Sequence, residues 1–175
     1  MEIIKDYIPN GSINRAGTKN SCTSITIHDT ANTQKGANAK AHAKYIKTIK
    51  DKTSWHYTVD DKSIYQHLPD EEKSYHTSRA IANESSIAIE ICVNEDGDFE
   101  KAVTNAVWLV RELMKKHNIV ANNIKMHRDW TGKNCPASLG AEQWNDFIRR
   151  CSEIETEQYI TLDELRKMGY VGIRF

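Results

Sequence analysis

The chain has 175 residues, enough for one domain with a sizeable core and short for two. Lysine plus arginine and aspartate plus glutamate each number 24, and this balance excludes the strongly basic surface of a nucleic-acid binder or of a protein held on an acidic membrane. No apolar run reaches the roughly 18 residues of a membrane span, and the opening MEIIKDYIPN has no signal-peptide core, so synthesis in the cytoplasm without a signal peptide is expected. Cys22, Cys92, Cys135 and Cys151 then read as reduced thiols rather than a disulfide framework, and a monomer is the starting assumption.

TSITIHDT at 23–30 alternates Ile25 and Ile27 with polar neighbours and predicts a strand that delivers His28 near its C-terminal end. NAKAHAKYIKTIK at 38–50 sets Ala39, Ala43, Ile46 and Ile49 near one face behind Asn38, a capping residue type, and predicts a helix. WHYTVDDKSIYQHL at 55–68 is rich in aromatic and β-branched residues around Asp60, Asp61 and Lys62 and predicts a hairpin. SSIAIEICV at 85–93 is a nearly continuous apolar run broken by Glu90, the pattern of a strand inside a sheet. After Asp98, residues Phe99, Ala102, Val103, Ala106, Val107, Val110 and Met114 recur at helical spacing, and Lys115, Lys116 and His117 close the last turn before Asn118. NIKMH at 123–127 predicts a short strand followed by a polar loop ending at Pro136, and Trp144, Phe147, Ile148 and Cys151 predict a last helix.

Strands alternating with helices make an α/β domain: a mixed central β-sheet flanked by helices, antiparallel in the hairpin and parallel across the crossovers. This domain is expected to occupy residues 1–151. Residues 152–175 differ in character, since SEIETEQYI reads as a charged connector and TLDELRKMG carries a capping-box pattern from Thr161 to Glu164 with Gly169 at its stop. They are expected to form a linker or short C-terminal helical segment, or the start of a removed module.

His28 and His127 each end a predicted strand, and Cys135 follows eight residues after the second histidine. Strand ends on one edge of an α/β sheet converge, so the three side chains can meet. Two imidazoles and a thiolate suit zinc, and three protein ligands leave a fourth tetrahedral position open, the arrangement of catalytic sites. Seven histidines give many chance pairs, so the spacing alone leaves surface and core roles open.

ITIHDT, SWHYTVDDKSIYQHL, SYHTS, NESSIAIEI and HRDWTGKNCP occur in the order, and at about the separations, found in the zinc-dependent N-acetylmuramoyl-L-alanine amidases of the type-2 family. The chain resembles this family, which includes phage endolysins and wall-recycling and autolytic enzymes and is similar to the peptidoglycan recognition proteins, over about its first 150 residues. The resemblance implies one zinc ion per chain on His28, His127 and Cys135, with Glu90 as the catalytic glutamate and Lys133 over the metal as oxyanion stabiliser. Some phage members carry a tyrosine base at a position that best matches Trp55, which moves that role onto Glu90. Trp55, His56 and His76 are the substrate-binding candidates, with a packed core role equally open for His56, and Asp129 and Asn134 are candidates for orienting the metal ligands from behind. His42, His67 and His117 read as structural.

The implied substrate is peptidoglycan, cut at the amide between N-acetylmuramic acid and L-alanine of the stem peptide. The implied protein is a phage or prophage endolysin that acts on the cell wall after release, with residues 152–175 leading toward a wall-binding module. Competing readings are a wall-recycling amidase acting in the cytoplasm, a non-catalytic peptidoglycan-binding module, which would commonly lack the cysteine, and a structural zinc domain, which would need a fourth ligand. A thiol hydrolase using Cys135 with His127 would survive chelation.

Overall fold

The computed structural model describes residues 1–153. Its six strands are β1 (Ile3–Lys5), β2 (Ser24–Asp29), β3 (Tyr57–Val59), β4 (Ile64–Gln66), β5 (Ser86–Ile91) and β6 (Ile124–Met126). They form one sheet in the order β1-β4-β3-β5-β2-β6. Only β3 and β4 pair antiparallel, as a hairpin must, and every other neighbouring pair is parallel. The helices are α1 (Ala39–Tyr45), α2 (Ala80–Ser85), α3 (Phe99–His117), α4 (His127–Thr131) and α5 (Ala141–Ser152).

The two-residue period of the central strands divides the sheet into faces of different chemistry. Ile25 and Ile27 of β2 and Ile87, Ile89 and Ile91 of β5 are fully buried in the main core, against Val103, Ala106, Val107 and Val110 of α3 and Phe147 of α5. Burying each isoleucine stabilises the fold by about 2–3 kcal/mol relative to leaving it exposed. The alternate residues, Thr26 and His28 of β2 and Ser86, Ala88 and Glu90 of β5, project from the opposite face. There a smaller cluster of Ile8, Ile46, Trp55, Leu68 and Ala88 lies beside α1 and the turn after it.

Helix α3 is the longest element because its ends are chemically marked. The Asp98 side chain accepts from the backbone N–H of Lys101, three basic residues occupy the last turn, and Asn118 adopts the left-handed conformation that stops the helix. Helix α1 starts as predicted, with Asn38 accepting from the Ala41 N–H, but stops at Tyr45 and tightens into a 3₁₀ turn over Ile46–Thr48.

All of β2 is buried, and Thr26 satisfies its hydroxyl on Ser86, because the sheet is covered on both faces here. Three elements depart from the sequence reading. The stretch predicted as a polar loop opens with helix α4. Strand β1 and helix α2 were not anticipated, since three and six residues are too short to carry a readable period. The capping-box reading at Thr161 lies outside the described residues. Among the described residues no helix is long and apolar enough to cross a membrane.

Candidate metal and catalytic site

Strand register assembles the site. In the parallel β2–β5 pair His28 stands opposite Glu90, so their side chains leave the same face of the sheet. On the other side of β2, Ile27 pairs with Met126, which places His127 one residue past the end of β6 as the first residue of α4. The chain then folds back. The Arg128 N–H donates to the Cys135 carbonyl (3.1 Å), and the Arg128 guanidinium holds Asn134 Oδ1 (2.9 Å) and the Pro136 carbonyl (3.0 Å). Asp29, next to His28, accepts from the Ser138 N–H at 2.7 Å and ties the far end of this turn to β2.

The result is a compact donor set. His28 Nδ1 lies 3.2 Å from His127 Nδ1 and 3.6 Å from Cys135 Sγ, and the three residues are buried. Ligand atoms of all three fall within 4.8 Å of one another, so the group can hold a metal ion. Glu90 Oε1 is 4.0 Å from His28 Nδ1, whereas Glu90 Oε2 is buried with no hydrogen-bond partner.

Burial shapes the charge states of these groups. Desolvation first, then the neighbouring His76, His127 and Lys133, hold His28 well below the ordinary imidazole range. Burial and then Lys133 lower His127, so both rings are neutral and carry a free lone pair. The Cys135 thiol is pushed up to about 11, chiefly by burial, while a hydrogen bond from the Asp29 backbone opposes that rise. Burial, reinforced by the Asp29 carboxylate, raises Glu90 well above the usual carboxylate range against the pull of Lys133. An unpaired, proton-hungry carboxylate beside a cluster of metal-ligand types is the environment of a working acid or base.

Two clefts open on this face. One, of about 450 Å³, is lined by Thr30, Asn32, Ala41, Tyr45, Trp55 and Glu90. The other, of about 610 Å³, is lined by Lys52, Tyr75, His76, His127, Thr131 and Lys133. Thr53 lines both, so they meet beside the donor set.

The remaining sequence candidates divide. Lys133 is exposed at the second cleft, and Trp55 walls the first with its indole N–H donated to Thr58 Oγ1 at 2.7 Å. His56 takes the core alternative: fully buried, it accepts from the Ala88 N–H on Nδ1 and contacts the Glu72 carbonyl through Nε2. His76 lines the second cleft, but both its ring nitrogens are engaged within the protein. Asp129 caps α4 by accepting from the Met126 N–H at 2.7 Å, and Asn134 steadies the turn through Arg128; both contact residues adjacent to the ligands, not the ligand rings. Sequence reading passed over Arg128 and Asp29, although each is adjacent in sequence to a candidate ligand.

A second group of ligand-type residues, Asp70, Glu71 and His117, lies at the C-terminal end of α3. Asp70 Oδ2 there accepts from Lys116 Nζ (2.7 Å) and faces His117 Nε2 (2.8 Å), and Oδ1 accepts from Tyr57 and Gln66.

A mixed sheet with helices on both faces and a buried histidine, histidine, cysteine set beside a buried glutamate describes a hydrolase-like domain with a candidate metal site. The chain belongs to the N-acetylmuramoyl-L-alanine amidase family Amidase_2, whose model matches residues 18–138. It is 49% identical over 159 residues to the N-acetylmuramoyl-L-alanine amidase CwlH of Bacillus subtilis (strain 168), covering 89% of this chain and 63% of that protein. It is also 49% identical over 149 residues to the amidase XlyA of the same organism, covering 84% of this chain and 50% of that one. The chain therefore spans less than two thirds of either relative. Among solved structures, the catalytic domain of XlyA superposes with a TM-score of 0.83 at 47% identity, covering 87% of this chain and all of that one. A structure described as a mutant endolysin from Bacillus subtilis matches at the same TM-score of 0.83 and the same 47% identity, covering 87% of this chain and 99% of that one.

Proposed function

We propose that residues 1–151 are the catalytic unit of a zinc-dependent amidase that hydrolyses the bond between N-acetylmuramic acid and L-alanine in peptidoglycan, and that the protein is a phage or prophage endolysin. One observation carries the reading: two imidazole Nδ1 atoms and a thiol converge beside Glu90, whose buried Oε2 has no hydrogen-bond partner, in a chain of the amidase family. The likeness to a solved structure described as an endolysin from Bacillus subtilis favours the endolysin over a wall-recycling enzyme.

The donor set fits zinc, which takes nitrogen and sulfur ligands within one small tetrahedral shell. His28, His127 and Cys135 would hold it, and when bound it supplies Lewis acidity that polarises a carbonyl and acidifies water. Glu90, raised by burial, takes the proton of the attacking water and returns it to the alanine nitrogen as the amide breaks. Lys133 faces the negative charge that develops on the carbonyl oxygen. The clefts on either side of Thr53 accommodate the parts of the substrate flanking the scissile amide, with Trp55 against one arm.

Mass spectrometry of purified peptidoglycan after digestion tests the reading. The expected products are intact glycan strands and stem peptides with new L-alanine amino termini, formed in zinc, absent with excess EDTA and restored when zinc is added back. Cleavage within the glycan or between stem-peptide residues would reject the proposed bond, and hydrolysis that survives exhaustive chelation would reject the metal.

A further inference from the structure

Granted the ligand set proposed above, we propose that His76 is the positioning residue that makes His28 a ligand through Nδ1, by fixing on which ring nitrogen His28 keeps its proton. The geometry forces a chain of assignments. His76 Nε2 lies 3.2 Å from the Ala82 carbonyl, which can only accept, so the single proton of a neutral His76 sits on Nε2. His76 Nδ1 is then a bare acceptor, and it lies 3.0 Å from His28 Nε2. Two bare nitrogens at that distance would repel, so His28 carries its proton on Nε2 and donates it to His76. A neutral His28 therefore presents the lone pair of Nδ1, the atom that faces His127 and Cys135. The two ring planes stand 86° apart, with the contact made through these two nitrogens.

The supports of His76 are themselves built into the fold. Asn83 is buried in helix α2, and its Oδ1 accepts from the backbone N–H groups of His76 (3.1 Å) and Thr77 (3.0 Å), while its Nδ2 donates to the Thr77 carbonyl (3.0 Å). Helix α2 also supplies the Ala82 carbonyl. Six residues thus hold both the backbone and the ring of His76 and set the tautomer of a residue on β2. This reassigns His76 from substrate binding, because neither ring nitrogen is left for a substrate to use.

The test compares wild type, His76→Phe and His76→Asn, the last placing an amide oxygen near the position of the lost Nδ1. Zinc affinity is measured by competition with a chromophoric chelator. Loss of an outer hydrogen bond to a metal-binding histidine typically weakens binding about 10–100-fold, so that loss is expected for His76→Phe, with most of it recovered in His76→Asn. Long-range 1H–15N spectra of the metal-free wild type provide a readout that needs neither zinc nor activity: His28 should be the Nε2–H tautomer. An Nδ1–H tautomer in wild type, or unchanged zinc affinity in folded His76→Phe, would overturn the proposal. His28→Ala separates the two levels: if it keeps stoichiometric zinc, the ligand set is wrong, whereas loss of zinc there with wild-type affinity in His76→Phe leaves the ligand set standing and removes only the role of His76.

Discussion

Two groups of metal-ligand residue types lie in the described chain, and they differ in what their lone pairs already do. Asp70, with His117 and Glu71, has both carboxylate oxygens engaged by Lys116, His117, Tyr57 and Gln66. An ammonium ion already holds the place that a cation would need. The set of His28, His127 and Cys135 contains no cationic partner of that kind, and its nitrogens and sulfur lie against one another. Residue type and proximity are thus shared by both groups, and the ammonium seated on one of them sets the two apart. The first group stabilises the end of α3; the second has chemistry to offer.

The contrast can be broken at either group. Replacing Cys135 by Ser or His127 by Ala should remove zinc and hydrolysis together, the largest effect, read by metal analysis of the purified variant; stoichiometric zinc in either would strike that residue from the ligand set. Glu90→Gln should keep its zinc yet turn over about 100- to 10,000-fold more slowly, the range for a lost general base. Near-normal turnover would leave Glu90 a buried structural carboxylate. Lys133→Ala should lower kcat by about 100- to 1,000-fold if its ammonium stabilises the oxyanion, with zinc content unchanged. Asp70→Asn should spare both zinc and turnover while lowering stability by about 2 kcal/mol, measured by denaturant unfolding.

Asp70 also sharpens the contrast through pH. Burial alone would raise it, but hydrogen bonds from Lys116, Tyr57 and His117 outweigh burial and hold it below the usual carboxylate range. A carboxylate depressed in the folded state adds stability that is fully present above its unfolded value of about 4 and disappears as pH falls through its lower folded value. The acid limb of the unfolding curve should therefore be steeper in wild type than in Asp70→Asn.

Much of this was legible beforehand because the central strands carry strong periodic signals. The alternation around Ile25 and Ile27 and the isoleucine run interrupted by Glu90 identify β2 and β5, and their parallel register then puts His28 opposite Glu90. The capping residues Asn38 and Asp98 mark the starts of α1 and α3 as their chemistry predicts. What could not be read depends on contacts between distant segments. Nothing in SWHYTV says that both nitrogens of His56 are consumed by Ala88 and Glu72, and nothing in SYHTS says that His76 turns toward His28. HRDWTGKNCP reads as a loop because Gly132 and Pro136 dominate its pattern, yet the five residues before Gly132 form a helical turn capped by Asp129. Arg128 is invisible for the same reason, since its role is to clasp a turn eight residues downstream.

The alternation of β5 has one more consequence. Ile89 and Ile91 flank Glu90 on the chain but point the other way, into the packing against α3. Packing and the chemistry proposed for Glu90 thereby lie on opposite sides of a single ribbon, so the isoleucine side can be redesigned for a hardier protein while the Glu90 side is left alone. Inserting or deleting one residue within that ribbon would reverse both sides at once.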